Sequence, residues 1–441
     1  MANVIQLPHR FEPRTYQSAL FHDFFVKGYK RIVTVEHRRA GKDKCFLNLA
    51  VAATQMRVGT YVYMFPTATQ ARDVMWDGID RNGMRYLDHI PDRLVAKTNN
   101  SKLSITFKNG SILKFGGTNY YDRVMGTNPI GYISSETQHH NPLAWEYVRP
   151  ILAENGGWAI FNGTPRGHNH FYKLLTQNKN NPKWLTRVLT VEDTFRDAAK
   201  TIPVVTQEII DEERASGMSE EIVQQEFYCS FEAALPGAYY AAQIKKAYDE
   251  QRVGVFKPEP KLKTYSSWDL GIDDFTSIWI IQVKGSEIRL VSYYENRRQP
   301  MDHYAKYMHD FKKKHKVHFD IHFAPHDIEV QELSSGLTRK QYAARCGINF
   351  RTVKKAYIID GIEAVRALFQ RFRIDAENCD YGMECLKEYH SQYDPTKKTY
   401  SAPVHNWASH GADALRYFAL GWHGLKTVAG GVRKMKDWDP Y

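Results

Sequence analysis

Residues 33–50, VTVEHRRAGKDKCFLNLA, constrain this chain more than any other stretch. A run of branched residues leads into a short loop carrying Gly41-Lys42, and a helix-forming stretch follows at once. That order turns backbone N–H groups and a helix N-terminus toward an anion, while glycine permits close approach and lysine reaches terminal phosphates. A phosphate-binding P-loop built from Arg38, Arg39, Ala40, Gly41, Lys42 and Asp43 is therefore expected. The pattern is imperfect. Against G-x-x-x-x-G-K-[ST], Glu36 stands at the first glycine and Asp43 at the hydroxyl position. A plain strand–turn–helix unit is the competing reading of the same residues.

Other segments of the first half fit around that loop. The runs RIVTVEH (31–37), TYVYMFP (60–66), IGYISSE (130–136) and WAIFNGT (158–164) are apolar and end at polar, Gly or Pro signals, as buried parallel strands do. SITFKNGSILKF (104–115) predicts a hairpin turning at Asn109-Gly110. Upstream, FEPRTYQ places Arg14 and Gln17 where they could read an adenine edge, although an ordinary helix start has the same wording. Glu136 ends a predicted strand, where a carboxylate would polarise an attacking water, and Ser135 precedes it in place of the usual aspartate. Thr164, in FNGTPRG, could sense a γ-phosphate. Arg38 and Arg39 either supply transition-state charge, with Arg39 the catalytic candidate, or pair with nearby acids, and Arg123 is a further candidate.

Helical wording takes over from about Phe195, with acidic first turns after Thr206 and Ser219. Past Pro258 and Pro260 the order changes again. TYSSWDLGI, TSIWIIQV and IRLVSYYEN read as three strands, then a helix near 302–314, the strand FDIHFAPHD, a short helix near 339–345, the strand NFRTVKK and two closing helices. A ribonuclease-H-like domain has this layout. It would bring together Asp269 in the first strand, Asp327 closing the fourth and Asp413 in the first turn of the last helix. Three adjacent carboxylates repel one another unless a divalent cation neutralises them, and hard oxygen ligands suit Mg²⁺ or Mn²⁺. Two such ions can activate a water and stabilise the leaving 3′ oxygen of a phosphodiester. Asp273, Asp274 and His410 are possible accessory ligands, and Asp360 reads as a helix cap. Singly, Asp327 and Asp413 could be a loop residue and a helix-end charge.

The expected organisation is α/β throughout: an ASCE-type P-loop ATPase domain over 1–195, a helical linker over 196–257, the ribonuclease-H-like nuclease domain over 258–425, and a flexible basic tail over 426–441. A net charge of +11 favours a polyanionic partner. Five scattered cysteines form no zinc-spaced cluster and fit a reducing compartment. Neither a signal peptide nor a membrane-length apolar stretch is evident, so a soluble intracellular protein is expected.

Taken in order, HRRAGKD, Glu136 after a strand, and GTPRG resemble the ATPase of a bacteriophage terminase large subunit. WDLGIDDFTS, the DGIEAVR helix with Cys379 after it, PVHNWASHGADALRY, and QEFYCSFEAALPGAYY (225–240) are similar to the nuclease and linker of the same family, so the resemblance runs from about Phe11 to Leu420. It implies ATP with Mg²⁺ as fuel, double-stranded DNA translocated into a procapsid, and a nuclease using Mg²⁺ or Mn²⁺ to cut the concatemer. The implied partners are a small terminase subunit and a portal protein, on which the chain would form a homo-oligomeric ring. The implied place is the cytoplasm of an infected bacterial host, with no membrane association and no place in the mature virion. Family loops often read G-R-R-x-G-K-T, which sets His37 at the glycine and Asp43 at the threonine. Either Asp43 supplies the carboxylate that Ser135 lacks, or the ATPase is weakened. Two other functions fit parts of the chain: a ribonuclease-H-like transposase or resolvase, and a DNA-binding assembly protein with an inactive P-loop.

Overall fold

The apolar runs of the first half do form strands, and six of the eight strands in their sheet are joined by parallel pairings. In the computed structural model, which describes residues 5–118, 126–232, 237–271, 275–331, 336–394 and 399–430, the chain divides into two units, Met1–Ala234 and Leu235–Tyr441. The first unit is built on β1 (Arg31–Glu36), β2 (Thr60–Phe65), β3 (Val95–Asn99), β4 (Ser104–Phe107), β5 (Ile112–Gly117), β6 (Pro129–Ser135), β7 (Trp158–Gly163) and β8 (Leu185–Leu189). Their order is β3-β4-β5-β2-β6-β7-β1-β8. Only β3, β4 and β5 pair antiparallel, and the expected turn at Gly110 adopts φ 92°.

Alternate residues of the central strands feed two cores. Ile32, Tyr61, Tyr63, Ile133 and Ile160 pack with Phe46 and Leu49 of the helix Lys42–Met56 on one face. Val33, Val62, Tyr132 and Phe161 pack with Val148 and Leu152 of the helix Leu143–Glu154 on the other. Burying such a side chain contributes about 1.5–3 kcal/mol, so this alternation fixes the register of every strand. β7 lies between β1, which leads into the Gly41-Lys42 loop, and β6, which leads to Glu136. One strand inserted between those two is the ASCE arrangement expected. The unpredicted strands are the outermost ones: β3 and β8 have mostly exposed or half-buried residues and lack an apolar run. Thr206 and Ser219 cap the helices Gln207–Ala215 and Glu220–Glu226, which fall within the first unit.

The second unit holds β9 (Val253–Gly254), β10 (Lys263–Asp269), β11 (Phe275–Lys284), β12 (Glu287–Arg297), β13 (Phe319–Ala324), β14 (Phe350–Thr352) and β15 (Phe372–Asp375), in the order β14-β13-β10-β11-β12-β15-β9. β10, β11 and β12 form an antiparallel meander, with β13 and β14 added parallel beside β10. This is the ribonuclease-H-like order. Trp268, Ile278 and Ile280 face the helix Met301–His315 through Tyr304 and Met308, whereas Trp279 and Ile281 face the last helix, Ser409–Gly430, through Ala412 and Leu415. The helix Asp380–Glu388 and the pair β16 (Ser391–Asp394) and β17 (Thr399–Pro403) are not expected from the sequence. Residues 431–441, most of the predicted basic tail, lie outside the described residues, as do Arg123, Asp273 and Asp274.

Candidate functional site

Gly41 ends the loop after β1 at φ 84° and caps the N-terminus of the helix that begins at Lys42. A β-carbon there would sit 3.2 Å from Gln17 Nε2 and 3.4 Å from Arg14 Nη1, so both backbone angle and space call for glycine. Lys42 is buried, with Nζ 3.1 Å from Thr164 Oγ1 and 3.6 Å from Glu136 Oε1. Burial pulls the Lys42 pKa down, but Glu136, Asp43 and Glu36 together hold it above its ordinary value, so the ammonium persists. Burial likewise pushes the Glu136 carboxyl up, and Lys42, Gln138, His139 and Arg38 more than offset it, leaving the pKa below the ordinary range. Glu136 is therefore ionised, as a water-polarising carboxylate must be. Its backbone is left-handed, at φ 57°, and Gln138 Nε2 donates to it at 2.6 Å.

These residues open onto a cavity of about 1090 Å³ that Arg14, Gln17, Arg39, Asp43 and Thr164 also line. Arg14 and Gln17 line the cavity, but their present partner is the loop itself. Arg14 Nη1 (3.2 Å), Tyr16 Oη (2.6 Å) and Gln17 Nε2 (3.2 Å) all converge on the Ala40 carbonyl oxygen. Arg38 is committed elsewhere, with Nε 2.5 Å from Glu226 Oε2. Arg39, at φ 75°, has no side-chain hydrogen bond or ion pair among the described residues. Glu36 does not approach the cavity as a loop glycine would: its carboxylate accepts from Thr34 Oγ1 at 2.8 Å and pairs with Arg187 at 2.9 Å. His37, held neutral chiefly by burial, bridges the Arg38 carbonyl and Thr194 Oγ1. Asp43 Oδ1 accepts from Ser135 Oγ at 2.5 Å and from Tyr63 Oη at 2.9 Å.

In the second unit, two of the three expected aspartates stand slightly off their predicted positions. Asp269 ends β10 as expected. Asp327 does not close the fourth strand: β13 stops at Ala324, where Pro325 cannot donate to a sheet ladder, and Asp327 sits in the 3-10 turn His326–Glu329. Asp413 is the fifth residue of its helix, which starts at Ser409, and so begins the second turn. Hydrogen bonds from Trp279 Nε1 to the Gly411 carbonyl (2.7 Å) and from Ser267 Oγ to the Ala414 carbonyl (2.6 Å) clamp that helix to the sheet. A β-carbon at Gly411 would lie 2.8 Å from Cys385 Cβ and from Tyr293 Oη, so glycine is what permits the approach.

The three carboxylates share one electrostatic environment. Burial raises the Asp269 pKa, His410 lowers it, and both Asp413 and Asp327 raise it further. His410 Nδ1 is 3.0 Å from Asp269 Oδ2, which places this accessory candidate in the site. Asp413 Oδ1 is held by Arg416 Nη2 at 2.7 Å and accepts from Tyr389 Oη at 3.2 Å. Asp327 Oδ1 is buried and has no hydrogen-bond partner among the described residues. A buried, unpartnered carboxylate oxygen beside two further aspartates fits a hard divalent cation. Among the described residues no three His, Cys, Asp or Glu side chains stand at coordinating spacing, so the groups would have to draw together around the ion.

Sequence reasoning missed Tyr16, Tyr63 and Arg187 in the first site. It also missed Glu295 in the second. Asp269 pairs in register with Ser277, and Ser277 with Glu295, so the three share one face of the sheet. Glu295 accepts from Ser277 Oγ at 2.8 Å and from Tyr293 Oη, and burial, its largest influence, raises its pKa to about 7. Only the strand register reveals that carboxylate, because SYYEN by itself carries no spacing signal.

A family model described as terminase large subunit, T4likevirus-type, N-terminal, matches residues 36–246. No curated protein matches the chain. Among solved structures, the large terminase of a thermophilic bacteriophage in complex with ATP-gamma-S is 17% identical, covering 92% of this chain and 98% of its own, with a TM-score of 0.40. The large terminase ATPase domain of Thermus phage P74-26 is 18% identical over 52% of this chain and all of its own, with a TM-score of 0.39. The P22 large terminase nuclease domain is 16% identical over 38% of this chain and 86% of its own, with a TM-score of 0.30.

Proposed function

We propose that this chain, whose residues 36–246 match the terminase large-subunit family model, hydrolyses ATP to drive double-stranded DNA into a procapsid and cuts the concatemer with a metal-dependent endonuclease. The observation that carries the reading is the Lys42 ammonium, held between Thr164 and an ionised Glu136 at the mouth of the cavity beneath the loop. Lys42 would bind the β- and γ-phosphates, and the backbone amides at the helix start would cradle them. Glu136 would orient and take a proton from the attacking water, and Thr164 would report the presence of the γ-phosphate. Of the two loop arginines, Arg39 is the one available for transition-state charge.

In the second unit, Asp269, Asp327 and Asp413 would hold Mg²⁺ or Mn²⁺, with His410 orienting Asp269. Such a cation supplies an acidified water and charge for the departing oxygen of the phosphodiester. The net charge of +11 suits contact with the DNA backbone rather than with base edges. The working form would be a homo-oligomeric ring on a portal protein, fed by a small terminase subunit, in the cytoplasm of the host cell. The family match does not favour the transposase, the resolvase or the inactive assembly protein.

The test is ATP hydrolysis by the purified protein with and without double-stranded DNA, beside Lys42→Ala, and plasmid cutting in Mg²⁺ or Mn²⁺ beside Asp269→Asn. DNA-stimulated hydrolysis lost in Lys42→Ala, with cutting lost only in Asp269→Asn, supports both halves. Hydrolysis indifferent to Lys42 would overturn the motor, and cutting indifferent to Asp269 would overturn the nuclease.

A further inference from the structure

In a usual P-loop site a hydroxyl on the loop and an aspartate at the end of the neighbouring strand together hold the Mg²⁺ that accompanies the nucleotide. Here each position carries the other's chemistry. Asp43 follows Lys42 where the hydroxyl should stand, and Ser135 precedes Glu136 where the aspartate should stand. Ser135 is fully buried and its Oγ donates to Asp43 Oδ1 at 2.5 Å, so the two side chains meet directly. Tyr63 Oη, also buried, donates to the same oxygen at 2.9 Å. Among the described residues no protein donor reaches Asp43 Oδ2.

From this geometry we propose that the chain has exchanged the two carriers of its nucleotide-associated Mg²⁺ site, with Asp43 supplying the carboxylate from the loop and Ser135 the hydroxyl from the strand. The inference rests on the reading that ATP binds at Lys42. One negative charge and one hydroxyl remain at the position, so the local electrostatics that a divalent cation requires are retained although neither residue matches its motif. Tyr63 fixes the carboxylate by one oxygen as outer-shell donors do, and the Ser135 hydroxyl, donating to that same oxygen, keeps its lone pairs for the cation that Asp43 Oδ2 would also meet. The alternative, two independent losses, gives no reason for the two altered residues to be hydrogen-bonded to each other.

The exchange is tested by reversing it. The Mg²⁺ concentration needed for tight binding of a fluorescent ATP analogue would be measured for the wild type, Asp43→Asn, Asp43→Thr and the double variant Asp43→Thr/Ser135→Asp, with Mn²⁺ binding in the presence of ADP followed by electron paramagnetic resonance. Asp43→Asn keeps an acceptor for Ser135 and Tyr63 and removes only the charge, so its fold is expected to survive. It and Asp43→Thr should need at least about tenfold more metal, the scale on which metal sites respond to lost supporting groups. The double variant should return to within about threefold of the wild type, a recovery of about 0.7 kcal/mol or better relative to either loss. Unchanged metal demand in Asp43→Asn, or a double variant that melts normally yet recovers nothing, overturns the exchange while leaving nucleotide binding intact. Analogue binding that is the same in Lys42→Ala as in the wild type overturns the ATP reading itself, and the exchange with it.

Discussion

His410 Nδ1 stands 3.0 Å from Asp269 Oδ2, joining the first turn of the last helix to the end of β10. The contact orients the carboxylate and counters the effect of burial, which raises the Asp269 pKa. His410→Ala should therefore weaken plasmid cutting by about tenfold or more and move the Mn²⁺ dependence to higher concentration. ATP hydrolysis by the same protein should be untouched. Cutting with an unaltered metal dependence would mean that the imidazole does not serve the site.

Restoring the missing P-loop glycine should harm the protein. Glu36 is buried and pairs with Arg187, which also donates to Thr34 Oγ1 and to the Tyr16 carbonyl. Glu36→Gly would strand the guanidinium inside the sheet, at a cost of about 3 kcal/mol. Thermal melting reads this directly: the variant should melt well below the wild type, and Glu36→Gln should lie between them.

The loop arginines should separate by phenotype. Arg38 is tied to Glu226, so Arg38→Ala and Glu226→Ala should lower melting temperature by similar amounts and add little when combined. Arg39 has no such tie among the described residues, and Arg39→Ala should fold normally while losing at least about a hundredfold in ATP turnover. Melting and steady-state hydrolysis on the same four variants decide it.

Glu136→Gln should bind nucleotide but hydrolyse it about 10²–10⁴-fold more slowly. Because Lys42, Gln138, His139 and Arg38 hold the Glu136 pKa below its ordinary 4.5, turnover should not fall on this group's account until the pH drops below that value. A loss of turnover at neutral pH traced to Glu136 protonation would contradict the arrangement.

Glu295 gives the nuclease unit a pH-dependent stability of the opposite kind. Burial first of all raises its pKa from 4.5 to about 7 in the folded state, so folding favours the protonated form. The stability this contributes is fully present below the unfolded pKa and is lost as pH rises through the folded one. Between about pH 5 and 8 the wild type should lose a few degrees of melting temperature relative to Glu295→Gln. Parallel curves for the two proteins would place the shift elsewhere.

Most central strands can be read from the chain because their apolar runs survive without any knowledge of partners, whereas the four-residue β15, inside the second sheet, is too short to stand out after the helix before it. β3 and β8 cannot, since an edge strand such as Val95–Asn99 buries none of its residues fully and writes no apolar run. The same distinction holds at the sites. Lys42 and Glu136 follow strands and are marked by their neighbours in sequence. Glu295 joins its site through cross-strand register and Tyr63 through a hydrogen bond to Asp43 on a helix, relations that a linear pattern does not record. The apolar run before Asp327 suggests a strand that reaches it, but the ladder ends ahead of Pro325 and the carboxylate is carried on the turn beyond.

The carbonyl of Ala40 accepts from Arg14, Tyr16 and Gln17 at once, yet a carbonyl oxygen has only two lone pairs. One of the three donors is thus redundant. On the proposed ATP reading, an arriving base would recruit it without leaving the loop short of a bond, whereas recruiting a second would slacken the loop.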